Sequence, residues 1–283
     1  MAAVSVIVPA FRAHATIARA IESLRAQSFA DWDAVIVSDD GSDYAATLRG
    51  AGIEDPRIRF ASTGAVGRGP AAARNAGLDH AEAALIAPLD ADDRFHPERL
   101  ATLVPLAQRF GAAASNVDVV DDASGAPLST LFPPGTGRRV LDAAGFLATS
   151  VPILFVAARA IAGRWDDDVF LCDDLPFNLR LFDKLGRIPV VERPLYEYRV
   201  REGSVCHDVR SGEWAAQGYA TVQARLAADG LGIARPELRA LLAAAVARKQ
   251  RLNREFEAAR ARGEAENFQD FVAARGLQAG DPG

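Results

Sequence analysis

The sequence predicts an α/β fold: a mostly parallel central sheet flanked by helices, followed by a helical C-terminal extension. Two patterns predict it. From Val4 to Phe110, short apolar, β-branched runs alternate with stretches of helical periodicity, which is the signature of parallel strands joined by helices. From about Ser211 the pattern is helical, with "ELRALLAAAVARKQRLNREFEAARARGEAENFQDFVAARG" at its centre. The 283 residues suffice for one large or two modest domains with a sizeable core.

The elements follow in order. "VSVIVPA", Val4 to Ala10, reads as a buried parallel strand stopped by Pro9. Thr16 stands where a helix cap belongs, and Ile17, Ala20, Ile21 and Leu24 recur at helical spacing. "AVIVSDDGS" repeats the plan with a strand and an acidic, glycine-containing turn. "RIRFAST" is the third strand, and "GPAAARNAGLDHA" a helix with Pro70 near its first turn. "ALIAPLD" is the fourth strand, and "HPERLATLVPLAQRF" a helix opened by Pro97 and open to a kink at Pro105. In the second half, "VDVVDDASGAP" reads as strand and turn, and "PILFVAARA" as another buried run. "DDLPFNLRLFDKLG" is an amphipathic helix ending at Gly186; "RIPVVERPLYEYRV" is extended and broken by Pro189 and Pro194. The final "LQAGDPG" reads as a frayed tail.

Composition narrows the function. The chain is 49% hydrophobic and 24% charged, an ordinary soluble profile, and its formal net charge of −5 argues against nucleic acid as a general partner. Two cysteines, Cys172 and Cys206, are too few for a disulfide framework, so a reducing, cytoplasmic setting is expected. "MAAVSVIVPAF" has no basic stretch before its apolar run, so no signal peptide is expected. No uninterrupted apolar run is long enough to span a bilayer.

Open parallel sheets bind ligands at the carboxyl ends of their strands. Here the first strand ends at Pro9, Ala10 and Phe11, the second at Asp39 and Asp40, and the fourth at Asp90, Asp92 and Asp93. Acids at a strand end are common turn formers, and Asp39-Asp40-Gly41-Ser42 fits that bland reading. A triplet after a buried strand is harder to dismiss, because adjacent carboxylates repel unless a cation or donors compensate. Hard oxygen ligands so grouped suit Mg²⁺ or Mn²⁺, which often also hold substrate phosphates. A competing match is "GRGPAA", Gly67 to Ala72, with Asp90 about 20 residues on, as in a dinucleotide fingerprint. Pro70 lies inside that motif, and the first strand carries no glycine loop.

The motifs "VSVIVPAF", "VSDDGS", "GPAAARNAGL", "LDADDRFHPERL", "CDDLPFNLRL" and "YRVREGS" occur in this order. Together they resemble the family 2 glycosyltransferases, which have the GT-A (Rossmann-like) fold, over roughly Val4 to His207. The resemblance implies transfer of a sugar from a nucleoside diphosphate donor, expected to be a UDP-sugar, with inversion at the anomeric carbon and a divalent metal cofactor. It implies that Pro9, Ala10 and Phe11 line the nucleoside pocket, that Asp39 or Asp40 reads the base, and that Arg74 contacts the nucleotide. Asp90 and Asp92 match the DxD element for ribose and metal-bound diphosphate, with Asp92 the metal ligand and Asp93 beside them. Asp174 matches the acid of the family's later Glu-Asp pair, its catalytic base; the preceding residue here is Asp173 rather than Glu. On this reading residues 1–210 are the transferase domain, about 1–110 its nucleotide-binding half and 111–210 its acceptor half. Residues 211–283 form the helical extension, which carries no signature of the family.

The chemistry agrees with these roles independently. A departing nucleoside diphosphate gathers negative charge, which a divalent ion neutralises. Inversion needs a base on the opposite face of the sugar to take the acceptor proton, and a carboxylate from a distant segment can serve. The bland alternative is that Asp173 and Asp174 merely favour a helix N-terminus. In "YRVREGSVCHD", Arg199 and Arg201 are candidates to clamp the diphosphate or are surface charge, and His207 is a candidate metal ligand or acceptor contact, though a lone histidine is usually neither. Trp165 is an acceptor platform or a core residue. The basic run "ARKQRLNR" is a solvated helix face, the commoner case, or a docking face on anionic membrane near a saccharide or lipid-linked acceptor. The remaining readings are a silent nucleotide-sugar-binding or scaffold protein and a nicotinamide oxidoreductase using "GRGPAA".

Overall fold

The computed structural model describes residues 2–149, 151–201, 210–265 and 271. The nucleotide half runs β1 (Val4–Ala10), α1 (Ile17–Arg25), β2 (Trp32–Ser38), α2 (Tyr44–Gly50), β3 (Ile58–Ser62), α3 (Pro70–His80), β4 (Leu85–Pro88), β5 (Arg94–Phe95) and α4 (Arg99–Phe110). The next part holds β6 (Ala112–Asp121), β7 (Pro127–Thr130), β8 (Arg138–Asp142), α5 (Ala143–Leu147), β9 (Val156–Ala158), α6 (Arg159–Ala162), α7 (Asp174–Leu185) and β10 (Arg187–Val200). Two long helices follow, α8 (Ser211–Ala228) and α9 (Pro236–Ala261).

The β-branched runs become the sheet centre. β1 is buried at every position but Pro9, and it pairs in parallel with β2 on one side and β4 on the other. β3 adds to β2, also in parallel, and forms an edge. Beyond β4 the sheet is mixed, in the order β3-β2-β1-β4-β9-β6-β10-β5. The three-residue β9 lies antiparallel to both β4 and β6, and β10 returns parallel to β6. The parallel reading holds for the first four sheet positions and again for the β6–β10 pair, and the short antiparallel β9 joins the two parts. Pro194 does not end β10; the register against β6 shifts on either side of it, as expected where proline removes a ladder donor.

Local signals explain the helices. α1 buries Ile17, Ala20, Ile21 and Leu24 as its spacing predicts. Thr16 occupies the cap position without capping: its hydroxyl donates to the Ala13 carbonyl instead. α2 is capped by Asp43, whose carboxylate accepts from the Ala46 amide at 2.8 Å. Pro105 sits inside α4, which runs through it from Arg99 to Phe110. Gly77 lets α3 approach β1, because a β-carbon there would overlap the Ile7 side chain.

One hydrophobic core joins all of this. Val6 and Ile7 of β1, Ile86 of β4, Phe182 of α7 and Val190 of β10 belong to the same buried cluster as Val222 of α8 and Leu242 and Val246 of α9. Arg225 of α8 adds polar ties to Asp166 at 3.6 Å and Asp168 at 2.7 Å. Among the described residues no helix is long and apolar enough to cross a membrane.

Candidate active site

The carboxyl ends of β1 and β2 make the first wall. Phe11 stands 40% exposed just beyond β1, with the Arg12 guanidinium 5.1 Å from its ring centre. Asp40 fixes that corner. Its Oδ2 accepts from the Arg12 amide at 2.6 Å and the Tyr44 hydroxyl at 2.8 Å, and its Oδ1 from the Ser42 amide and Ser38 hydroxyl. Burial pulls the Asp40 carboxyl up, but those hydrogen bonds prevail and hold it down at about 2. Asp39 is buried and anchors the following loop: the Thr63 hydroxyl lies 2.8 Å away, and the Arg68 and Gly69 amides donate at 2.9 and 2.8 Å. Asp40 thus has protein donors at all four acceptor positions and Asp39 at three. The same bonds remove the nucleotide-cradle reading of "GRGPAA". The Gly67 amide donates to the Asp39 carbonyl, and the next two amides to its carboxylate, so this loop's donors are directed at protein.

The acidic triplet splits into three situations. Asp90 follows β4 and receives Arg74 on one oxygen at 2.7 Å, leaving the other without a protein donor among the described residues. Asp92 is partly exposed, and among the described residues its one charge partner is Arg201 at 3.8 Å. Packing, then the Asp90 charge, pushes the Asp92 carboxyl above the usual range. Asp93 is 1% exposed and turned to structural use: Tyr196 donates to one oxygen at 2.6 Å and the Arg199 amide to the other at 2.8 Å. Burial, then the neighbouring Asp92 and Asp90, pushes Asp93 well above the usual range. Asp93, grouped with the donor contacts from the sequence, is instead a strut between the triplet and β10.

The two arginine candidates separate in the same way. Arg199 is buried and engaged by Asp122 at 2.6 Å and Glu197 at 3.0 Å, so its guanidinium is committed to protein rather than free for a diphosphate. Arg201 is about a third exposed and, among the described residues, its one ion pair is the long contact to Asp92 at 3.8 Å. His207 lies outside the described residues. Trp165 is buried and stacked on Phe177 at 3.7 Å between ring centres, which makes it core rather than an exposed platform.

Arg74 brings the distant segments together. It is buried on α3 and donates to Asp90 and, at 2.8 Å, to Asp173, a residue 99 positions away in sequence. Burial works against its charge, and the two carboxylates more than restore it. Asp173 is pushed up to about 6, chiefly by burial, with Arg74 pulling it down and Asp174 and Asp90 pushing it up. Asp174 opens α7 beside it and is partly exposed. Among the described residues no other residue's donor reaches its side chain. Packing raises its affinity for a proton, while Lys249 of α9 and then Arg74 draw it back. Lys249 belongs to a run that reads as a basic surface, yet its ammonium donates to the Thr149 carbonyl at 3.2 Å.

The loop carrying these acids is strained. Leu171 and Cys172 take φ of +55° and +69°, which non-glycine residues seldom adopt. α8 presses on that loop at Gly218, where a β-carbon would run into the Phe170 and Leu171 carbonyl oxygens.

The site also bears on metal binding. No three His, Cys, Asp or Glu side chains converge as a closed metal cage among the described residues. Asp92 and the open oxygen of Asp90 are hard donors that fit an ion completing its shell with substrate phosphates.

Comparison with known proteins gives consistent results. The profile of glycosyl transferase family 2 matches residues 5–146. The succinoglycan biosynthesis protein ExoO of Rhizobium meliloti is 32% identical over 224 residues, 73% of this chain and 63% of its own length. A UDP-Glc:alpha-D-GlcNAc-diphosphoundecaprenol beta-1,3-glucosyltransferase of Escherichia coli, WfgD, is 37% identical over 90 residues, 32% of this chain and 35% of its own. The chain thus spans under two thirds of either relative. Staphylococcus aureus TarS 1-349 in complex with UDP superposes with a TM-score of 0.58 at 18% identity, covering 78% of this chain and 65% of that one.

Proposed function

The chain belongs to glycosyl transferase family 2, and on that premise we propose that it transfers a sugar from a UDP-sugar to an acceptor hydroxyl with inversion at the anomeric carbon. One observation carries the reading. Near the strand ends, Asp90 and Asp173 share Arg74, while among the described residues no other residue donates to Asp174 beside them. A carboxylate without a donor, set among paired ones, is disposed to accept a proton from a substrate.

The residues then divide the work. The Pro9–Phe11 corner receives the nucleoside, framed by Asp39 and Asp40. Asp90 and Asp92 face the ribose and diphosphate, and Arg201 takes the clamping role in place of Arg199. Mn²⁺ or Mg²⁺, when bound, would be held by Asp92 and Asp90 and would neutralise charge on the leaving diphosphate. Asp174 accepts the acceptor's hydroxyl proton as its oxygen bonds the anomeric carbon and the bond to the diphosphate oxygen breaks. Arg74 keeps Asp173 and Asp90 in register with that step.

We assign residues 1–110 to the nucleotide half, 111–210 to the acceptor half and 211–283 to the extension. The acceptor we favour is lipid-linked, met at the cytoplasmic face of a membrane. Two observations support it: WfgD is named for a diphosphoundecaprenol substrate, and Arg251 and Arg254 of α9 are exposed.

Calorimetry with UDP, with and without Mn²⁺, tests the donor reading. UDP should bind and should bind more tightly with Mn²⁺, and Asp92→Asn should remove most of that increment without unfolding the protein. NAD binding equal to or stronger than UDP would overturn the transferase reading.

A further inference from the structure

The acidic loop after β4 has an arginine against its main chain that does not pair with its metal-ligand candidate. Arg19 of α1 donates from Nη2 to the Asp92 carbonyl at 2.9 Å, 73 residues away in sequence. The same nitrogen lies 2.7 Å from Oδ1 of Asp122, the residue after β6. Arg19 therefore holds the backbone of Asp92 while its charge is met by another carboxylate. Among the described residues the ion-pair partner of the Asp92 carboxylate is Arg201, not Arg19, and that contact is long at 3.8 Å.

Asp122 is fixed from its other side. Its amide donates to the Val200 carbonyl at 2.9 Å, at the end of β10. Arg199 Nε donates to its Oδ1 at 2.6 Å, so one carboxylate oxygen receives two guanidinium groups. Arg199 is anchored in turn by Glu197 at 3.0 Å, and its amide donates to Asp93 at 2.8 Å. The Asp122 side chain is 13% exposed, against 30% for Arg19, so the carboxylate is the better buried of the two.

Charge decides what this brace does. Guanidinium and carboxylate make strong, charge-assisted hydrogen bonds. A guanidinium already bonded to the Asp92 backbone, once freed of Asp122, would turn to the Asp92 carboxylate. A carboxylate so engaged offers a divalent ion fewer lone pairs and less charge.

We propose that Asp122 is a positioning residue for the donor site: as counter-ion to Arg19, it keeps that guanidinium on the Asp92 carbonyl and off the Asp92 carboxylate, which stays open to a divalent ion and the donor diphosphate. This rests on Asp92 and Asp90 being the ion's ligands. It gives the end of β6, in the half assigned to the acceptor, a task in donor binding.

Two measurements test it. Electron paramagnetic resonance of Mn²⁺ titrated into the protein with UDP gives the ion's affinity, and calorimetry gives UDP affinity without metal. Asp122→Asn keeps the side-chain shape and removes the charge. Mn²⁺ should bind it on the order of tenfold more weakly. UDP without metal should bind as in wild type or more tightly, because Arg19 then offsets the repulsion between Asp92 and the diphosphate. A purely structural Asp122 would weaken both together, and unchanged Mn²⁺ affinity in folded Asp122→Asn overturns the proposal. The double variant Arg19→Met with Asp122→Asn removes the released cation and should recover most of the Mn²⁺ affinity; losses that simply add overturn the proposal. If Asp122→Asn alone does not fold, the double variant decides, with Mn²⁺ binding near wild type expected and a loss of about tenfold counting against the proposal. If wild type itself binds no Mn²⁺, the ion-site reading fails. A crystal structure of Asp122→Asn then decides the role of Asp122 separately: Arg19 on the Asp92 carboxylate supports it, and Arg19 still on the carbonyl alone overturns it.

Discussion

Asp173 and Asp174 are adjacent carboxylates with opposite surroundings, and their variants should behave oppositely. Asp174→Asn keeps the side-chain shape and removes the proton acceptor, so transfer should fall by ~10²–10⁴ with UDP affinity nearly unchanged. Asp173→Asn should cost less activity, since it alters the Arg74 bond and not the acceptor's partner. Its mark is on stability. Asp173 binds its proton more tightly folded, at about 6, than at its ordinary 3.8, so its favourable contribution fades as pH rises through that window. Melting temperatures measured from pH 4 to 6 should show that decline in wild type and lose part of it in Asp173→Asn. Equal transfer losses in both variants would remove Asp174's special role. The sequence motifs single out Arg74, Asp90, Asp92 and Asp174 as candidates, and the fold joins the first two directly. They did not show that Asp93 and Arg199 turn inward, because Tyr196 meets Asp93 from 103 residues away and Asp122 meets Arg199 from 77. Side chains alike in sequence acquire their roles from such partners.

At the scale of elements, the strands and helices with strong periodicity were legible, among them β1, α1, α3, α7 and α9. The short pieces were not. β5, β8 and α5 have five residues or fewer, and they exist because β10 and the core hold them. The join between α8 and the loop before α7 was equally hidden, since "AAQGYA" reads as an ordinary helix with a weak residue. Gly218→Ala tests that join. Alanine normally strengthens a helix, yet here its methyl group meets backbone oxygens that cannot move aside freely. Overpacking of this kind costs about 1–3 kcal/mol. The melting temperature should fall, and transfer should fall further than UDP binding, because the displaced loop carries Asp173 and Asp174. A variant as stable as wild type would show that the approach is looser than the geometry indicates.

Over the whole molecule, the boundary near residue 210 divides sequence patterns more clearly than it divides the interior. Val222, Leu242 and Val246 are fully buried in the cluster that contains Ile7 and Phe182. Fully burying one such side chain is worth about 1.5–3 kcal/mol, so losing several at once should exceed the margin of a typical domain. A chain cut after Arg210 should therefore be insoluble or lack a cooperative melting transition, whereas a separable extension would leave one intact.

That continuity limits how this scaffold can be recombined. The natural way to retarget a transferase is to graft the acceptor-side helices of one relative onto the nucleotide half of another. Here a graft of α8 and α9 alone would cut through a packed interior, with the partners of α9 on α5 and α7 left on the other parent. A productive crossover would have to carry α5, α7 and the last helices together, making a discontinuous set of segments the smallest exchangeable part.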